Sequence, residues 1–394
     1  MAEAESVVAA LGAGGVAVLF VGGCVRDTLL DRPVRDIDIA TPDPPETVLA
    51  KLTAAGIRAI PTGIAHGTVT AIAGGRHFEI TTLRVDVQTD GRHAQVAFTD
   101  DWAADAERRD FTMNALFLAP DGALYDPVGG LADVSAGRVR FVGDPATRIA
   151  EDYLRVLRFF RFLAHYGPRG DQGAPDPAGL AACAEAADRL AGLSAERVAG
   201  ELFRLLGAPD PVPALGWMAK AGVLAAVLPE ATALPRLAGL IRVAPEADPV
   251  LRWAALVAGD RAVLAAMAGR LRLSNTDRAR IVEAAASDGP AIDPAANAVA
   301  RRRLLYRLGT ERYRDRVLLA REAEPENDAF AAWLDLAARW APPVLPLRGA
   351  DLVAAGVAPG PEVGRLLRRI EGWWIDQDFR PDRAACLARL KAEL

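Results

Sequence analysis

Two aspartates, Asp36 and Asp38, stand two residues apart in the run RDIDIAT (Arg35–Thr41), with Ile37 between them and Ile39 after them. Successive side chains of a strand alternate faces, so this spacing puts both carboxylates on one face and both isoleucines on the other. Two like charges that close are costly unless a cation lies between them. Mg²⁺ suits such a pair, because it keeps several waters and binds through one or two carboxylates plus substrate phosphates. The segment just upstream, VGGCVRD (Val21–Asp27), supplies a complementary set of groups. Gly22 and Gly23 let the backbone approach a phosphate chain and offer N–H groups beside a helix N-terminus. Arg26 can add a charge-assisted contact to a phosphate.

The elements that must position these groups follow from patterning. A strand over Val16–Val21 runs into the glycine pair, a short helix follows over Val25–Leu30, and a second strand carries Asp36 and Asp38. Helices are expected over Ala2–Leu11 and Pro44–Ala55. Three β-like runs come next (Ile57–Ile60, Thr68–Ile72 and His77–Thr81), and Gly74-Gly75 makes the last two a hairpin. Taken singly, a glycine pair is a turn, an Asp-x-Asp is a solvated strand edge, and Arg26 with Asp27 is a surface pair. The order strand, Gly-Gly, helix with Arg-Asp, strand with Asp-x-Asp is far more specific. It resembles the nucleotidyltransferases of the DNA polymerase β superfamily. The GGCVRD spelling is similar to the class II branch, which holds bacterial CCA-adding tRNA nucleotidyltransferases and bacterial poly(A) polymerases.

That resemblance extends along the N-terminal half. It implies a third carboxylate on a neighbouring strand, for which Glu79 in HFEITTLR is the candidate, with a charged residue on an open hairpin face as the alternative. GIAHGTV (Gly63–Val69) and FEITTLR (Phe78–Arg84) look more like CCA-adding enzymes, and the basic signature of the polymerases after the acidic strand is not found. His66 reads as structural. Arg84–Arg108 is polar with weak periodicity, so it reads as a long loop. The resemblance implies that this loop serves the final A addition. In RRDFTMNAL (Arg108–Leu116), Arg109 can bind phosphate and Asp110 can orient an arginine, while Phe111 and Met113 alternate inward as strand residues would. The match to the family's RRDFT-x-N motif implies that Arg109 contacts the nucleotide. Tyr125–Asp133 reads as a glycine turn, with Asp126 and Asp133 structural.

Arg148–Tyr166 (RIAEDYLRVLRFFRFLAHY) is strongly helical in pattern. Asp152 and Arg155, three residues apart, are expected on one helix face, with Arg158 and Arg161 continuing the stripe. An Asp–Arg pair has a specific use. Cytosine and adenine both offer an amino donor and a ring-nitrogen acceptor, which a carboxylate and a guanidinium satisfy. Uracil and guanine reverse the pattern and leave buried polar groups unpaired. EDYLR (Glu151–Arg155) matches the class II template motif. The resemblance implies Asp152 and Arg155 as base readers and Arg158 and Arg161 as further nucleotide contacts. A loop is expected over Gly167–Pro177 and one helical segment over Leu180–Leu206, with Ser194 as an N-cap. Glu196, Arg197 and Glu201 there resemble a motif that steadies the template helix.

The whole chain agrees with this reading. Its 394 residues allow two or three domains, and 51% hydrophobic with 25% charged residues is the balance of a soluble globular protein. The three cysteines (Cys24, Cys183, Cys386) form no paired pattern and fit a reducing cytosol. Val7–Val21 is too short and too glycine-broken for a membrane span or signal peptide, so a cytoplasmic location is expected. A net charge of -5 argues against a broadly basic coat but allows a local basic surface. From Pro213 to Leu394 the pattern is alanine- and leucine-rich helix. All four histidines (His66, His77, His93, His165) precede it, which excludes an HD phosphohydrolase domain. Arg301–Arg321 holds eight arginines against two acidic residues, with Tyr306 and Tyr313 interleaved. Arg301, Arg302, Arg303 and Arg307 are the RNA-contact candidates. Trp373 and Trp374 are expected to close a helical core.

The expectation is therefore an α+β chain: a small mixed-sheet nucleotidyltransferase head (1–143), a helical neck with the template helix (144–207), and a helical body and tail (208–394). The resemblance implies two-metal transfer of CMP and AMP from CTP and ATP to the tRNA 3′ end. Mg²⁺ would sit on Asp36 and Asp38, Gly22, Gly23, Arg26 and Arg109 at phosphates or sugar, and Asp152 and Arg155 at the base. No membrane and no protein partner is implied. A poly(A) polymerase is the alternative of the same family. A catalytically silent RNA-binding protein of the same fold is the alternative of another class.

Overall fold

A computed structural model describes residues 2–89, 94–168 and 174–394. His93 and parts of the Arg84–Arg108 and Gly167–Pro177 segments lie outside them. The described chain forms two compact units, Met1–Ala231 with Arg270–Arg272, and Thr232–Gly269 with Leu273–Leu394.

The first unit starts with α1 (Ala2–Leu11), β1 (Leu19–Val21), α2 (Gly23–Leu29), β2 (Ile37–Thr41) and α3 (Pro45–Ala54). The strands β3 (Arg58–Gly63), β4 (Thr68–Ala73) and β5 (Arg76–Thr82) follow. Gly74 and Gly75 join β4 to β5 with φ of 57° and 76°. Both positions need positive φ, which is why the two-residue hairpin is glycine-glycine. Then come β6 (Arg84–Thr89), β7 (Ala94–Phe98), α4 (Trp102–Glu107), β8 (Phe117–Leu118), β9 (Leu124–Tyr125) and α5 (Gly130–Ala136). The main sheet runs β3-β4-β5-β2-β1-β8-β9. Only β2 and β5 pair in parallel; the other neighbours are antiparallel. The expected mixed-sheet head is present.

One sheet face is closed by α1 and α3. Val7, Leu11, Val48 and Leu52 pack there with Ile39, Val69, Phe78 and Ile80, all buried. Ile37 packs against this cluster too. Ile37 and Ile39 thus anchor β2 on this side while the carboxylates face the other way. That other face is covered by a second cluster including Val21, Ala40, Leu83, Ala106 and Phe117.

Three local expectations are corrected. Arg84–Arg108 is not an irregular loop: β6 and β7 form an antiparallel hairpin of their own, and α4 follows, capped by the Asp101 carboxylate on the amides of Ala103 and Ala104. Alternation there is weak because this two-stranded ribbon is separate from the main sheet. Thr112–Asn114 is a 3₁₀ turn rather than a strand. Phe111 and Met113 do point inward, but Thr112 and Asn114 are buried as well, so no open face exists. The reason is α5, whose Gly130 backs onto the Thr112 carbonyl so closely that a Cβ would sit 2.1 Å from it. The third correction is a break inside the template helix, described with the site. The helical segment after it is also subdivided: α6 (Pro145–Glu151), α7 (Leu154–Tyr166) and α8 (Pro177–Glu185) lead through a 3₁₀ stretch, Ala187–Gly192, into α9 (Ala195–Leu206). Ser194 occupies the N-cap position of α9 without a side-chain bond.

The second unit is helical throughout its described residues. Two of its clusters are centred on Tyr313, Phe330 and Trp333, and on Ile370, Trp374 and Leu390. Trp374 is buried in the latter and Trp373 packs at its edge. No helix among the described residues is long and apolar enough to cross a membrane.

Candidate active site

Asp36 sits in a bend just before β2 and Asp38 is the second residue of that strand. Parallel pairing sets Asp38 directly beside Glu79 of β5. Strand register thus sets two carboxylates side by side, with Asp36 just before the strand. Burial raises the Asp38 carboxyl to about 6, with Glu79 and Asp36 adding to the rise and Arg109 opposing it. A cation beside this carboxylate would offset the repulsion from its acidic neighbours. Among the described residues no three side chains converge as a preformed metal cage. Gly22 forms the facing wall. Its φ of 76° suits glycine, and a Cβ there would lie 3.5 Å from Arg109 Nη1 and 3.9 Å from Asp38 Oδ2.

The arginines beside this wall are held rather than loose. Arg26, only 6% exposed, has Asp27 at 2.9 Å and stacks 4.0 Å over the Tyr166 ring. Its Nη2 donates to Tyr166 Oη at 2.6 Å and its Nη1 to Asn114 Oδ1. Arg109 donates from Nε and Nη2 to Asp105 Oδ2 at 3.1 and 2.8 Å. Burial alone would raise the Asp105 carboxyl, yet Arg109 and Arg108 hold it below the usual carboxylate range. Asp110 does orient an arginine: it accepts from Arg158 Nε at 2.8 Å and from Asn114 Nδ2 at 3.1 Å.

The template segment is not one helix. α6 ends at Glu151, and Asp152 has an extended backbone (φ -155°, ψ 106°). Its carboxylate then accepts the amide of Leu154 at 3.1 Å, and its carbonyl accepts the amide of Arg155 at 2.9 Å. Asp152 therefore braces the first turn of α7 from just outside its N-cap, Tyr153, and the one-face geometry of an unbroken helix does not apply. Oδ2 of Asp152 is held by Arg197 Nη2 at 2.5 Å. Arg155 pairs with Glu151 and with the Arg148 carbonyl. Arg161 reaches Glu201 at 2.6 Å.

These groups converge. One pocket of about 640 Å³ is lined by Gly22, Gly23, Arg26, Asp36, Asp38, Arg109, Asp152, Arg155, Arg158 and Arg161, together with Arg108, Asp110, Asn114, Leu154, Phe162 and Arg197. Seven arginines face four aspartates in it. Such a balance suits a triphosphate better than an apolar ligand. Glu79 lies next to Asp38 outside this lining.

Comparison with known proteins decides the family. A family model described as the poly A polymerase head domain matches residues 18–140, and one described as a probable RNA- and SrmB-binding site of polymerase A matches 174–234. The mitochondrial CCA tRNA nucleotidyltransferase 1 of Mus musculus is 34% identical over 399 residues, covering 94% of this chain and 85% of that protein. The chain belongs to the CCA-adding tRNA nucleotidyltransferases. The Danio rerio relative of the same name is 50% identical over 186 residues, a match that spans 43% of that protein. The crystal structure of the Bacillus stearothermophilus CCA-adding enzyme in complex with CTP superposes with a TM-score of 0.80 at 28% identity, covering all of this chain and 98% of that one.

Within this CCA-adding family member, the arginine run of the second unit is placed differently. Arg302 pairs with Asp378 at 2.6 Å, Arg303 with Asp376 at 3.5 Å, and Arg301 donates to the Ala296 carbonyl at 2.9 Å. Arg307 is exposed. Tyr313 is fully buried and stacks on Trp333, and Tyr306 donates to Glu371. Tyr313 is therefore core, and Tyr306 packs at the edge of the Ile370–Trp374 cluster. Sequence reading overlooked Asp105, Asn114 and Tyr166. Asp105 had a local signal, standing three and four residues before Arg108 and Arg109. Tyr166 had none, because its partner Arg26 lies 140 residues away.

Proposed function

We propose that the protein adds CCA to the 3′ end of tRNA, taking CMP and AMP from CTP and ATP without a nucleic-acid template. The observation that carries this reading is the single pocket in which a carboxylate pair, a glycine wall, arginines and the Asp152/Arg155 pair meet. Asp36 and Asp38 would hold Mg²⁺, with Glu79 as a supporting carboxylate. The ion supplies charge neutralisation at the triphosphate and a lowered pKa at the attacking hydroxyl. The tRNA 3′-oxygen bonds to the α-phosphorus, the α–β bridging bond breaks, and pyrophosphate leaves with the displaced electron pair. Gly22 and Gly23 let the backbone approach the phosphates, and Arg26 and Arg109 line their path. Arg158 and Arg161 line the pocket from α7.

Base choice falls to Asp152 and Arg155. Both are paired internally, Asp152 with Arg197 and Arg155 with Glu151. Each retains unused valence, since a carboxylate accepts several bonds and a guanidinium donates five. A cytosine or adenine edge satisfies that valence, and uracil or guanine leaves it unmet. We assign residues 1–143 to the transfer head, 144–207 to the neck and 208–394 to the tRNA-binding body and tail. Arg307 is the strongest remaining RNA-contact candidate of the basic run, and the cytoplasm is the proposed compartment.

Purified protein mixed with tRNA lacking its 3′ CCA, Mg²⁺ and each nucleotide alone or in pairs tests the proposal by product sequencing. C, C and A followed by a stop is expected. A long A tail on varied RNAs would favour a poly(A) polymerase. Bound tRNA without transfer would leave only an RNA-binding protein.

A further inference from the structure

We propose that Asp105 is a positioning residue for the incoming nucleotide, acting through Arg109; this deepens, and rests on, the nucleotide-site reading above. Asp105 does not line the pocket and is 1% exposed, so it cannot touch substrate. Its two carboxylate oxygens divide their work. Oδ1 accepts Arg108 Nε at 2.8 Å, Arg108 Nη2 at 2.6 Å and the Arg84 backbone amide at 3.2 Å. Oδ2 accepts Arg109, from Nε and Nη2.

The consequence is directional. The Arg109 guanidinium is gripped along one edge, with the Phe117 ring 5.4 Å from its centre. Nη1 is left at the other edge, 3.5 Å from the Asn114 carbonyl and close to Gly22. That is the wall facing Asp38. The Arg84 amide belongs to the first residue of β6, so the carboxylate is anchored from the hairpin as well as from its own helix. A long, flexible side chain is thereby reduced to one orientation before a nucleotide arrives, which lowers the entropy lost on binding. Both oxygens thus hold arginines that line the pocket, and Arg109 is the one whose far edge is turned toward Gly22 on the wall facing Asp38.

The test compares wild type, Arg109→Ala, Asp105→Asn and the double variant, with tRNA lacking its CCA and CTP as the varied substrate. Arg109→Ala should raise KM for CTP; if it does not, the nucleotide-site reading fails. Given that effect, Asp105→Asn should raise KM for CTP about 10- to 100-fold, leave KM for tRNA unchanged, and add nothing in the Arg109→Ala background. An unchanged KM for CTP in a folded Asp105→Asn variant, or effects that multiply in the double variant, would overturn the inference. Where the Asn variant does not fold, Asp105→Glu keeps the charge but moves the carboxylate by one methylene. It should show the same rise, and a wild-type KM there would equally overturn the inference.

Discussion

The arginines of the first unit and those of the second have similar partners and different surroundings. Arg109, Arg155, Arg158 and Arg161 each hold a carboxylate, and so do Arg302 and Arg303. The first set nevertheless lines a cavity that also contains Gly22, Asp36 and Asp38. Arg301, which reaches the Ala296 carbonyl and the Trp333 ring, and Arg316, which reaches the carbonyls of Pro290 and Glu283, tie neighbouring helices and loops of the second unit together. Charge density in the sequence therefore marks a site poorly. What distinguishes the pocket is that its acid-paired arginines share it with Gly22, Asp36 and Asp38. Buried ion pairs of this kind contribute little net stability, and their value lies in fixed geometry.

The contrast predicts a graded response to substitution. The largest effect should come from Asp38→Ala, which removes a carboxylate we assign to the metal: transfer should fall at least about 10³-fold in a single-turnover assay while tRNA binding by filter retention is kept. Asp152→Ala or Arg155→Ala should cost less in rate. Each should narrow the preference for C and A over U and G by about 10- to 100-fold in nucleotide competition. Substituting the second-unit set should do far less: Arg302→Ala should leave nucleotide KM unchanged and lower only the melting temperature, because its visible partner is Asp378.

Two further expectations concern charge. The Asp110 carboxyl is buried, which raises its pKa, but Arg158 and Asn114 hold it below its ordinary value of 3.8. A depressed folded value means stability that is present above the unfolded value and lost as pH falls through the folded one. The melting-temperature gap between wild type and Asp110→Asn should thus be full at pH 7 and close only as pH falls below about 4. The smallest effect concerns the metal. Mg²⁺ should raise the melting temperature of wild type, through binding to the folded state, and should not raise that of Asp38→Asn.

The parts of this site written in short-range pattern were legible in the sequence. Asp36 and Asp38 alternate with Ile37 and Ile39, and Gly74-Gly75 dictates its own hairpin. Other parts depend on contacts that no window of sequence contains. The break at Asp152 is invisible because helix-favouring residues flank it on both sides; the Arg197 contact that holds its carboxylate comes from α9. The 3₁₀ turn at Thr112–Asn114 depends on the approach of Gly130, and the place of Glu79 beside Asp38 depends on β2–β5 register. The basic run at Arg301–Arg321 misleads in the opposite way, since the acids that neutralise Arg302 and Arg303 lie more than 70 residues downstream.

The most direct test of the central claim offers all four nucleotides at once to wild type and to Arg155→Ala, with tRNA lacking its CCA as primer. If one protein pocket both binds the metal-bound triphosphate and reads the base, wild type adds C, C and A and stops, and Arg155→Ala still transfers but admits U or G. An Arg155→Ala variant that transfers with undiminished selection for C and A would contradict the account.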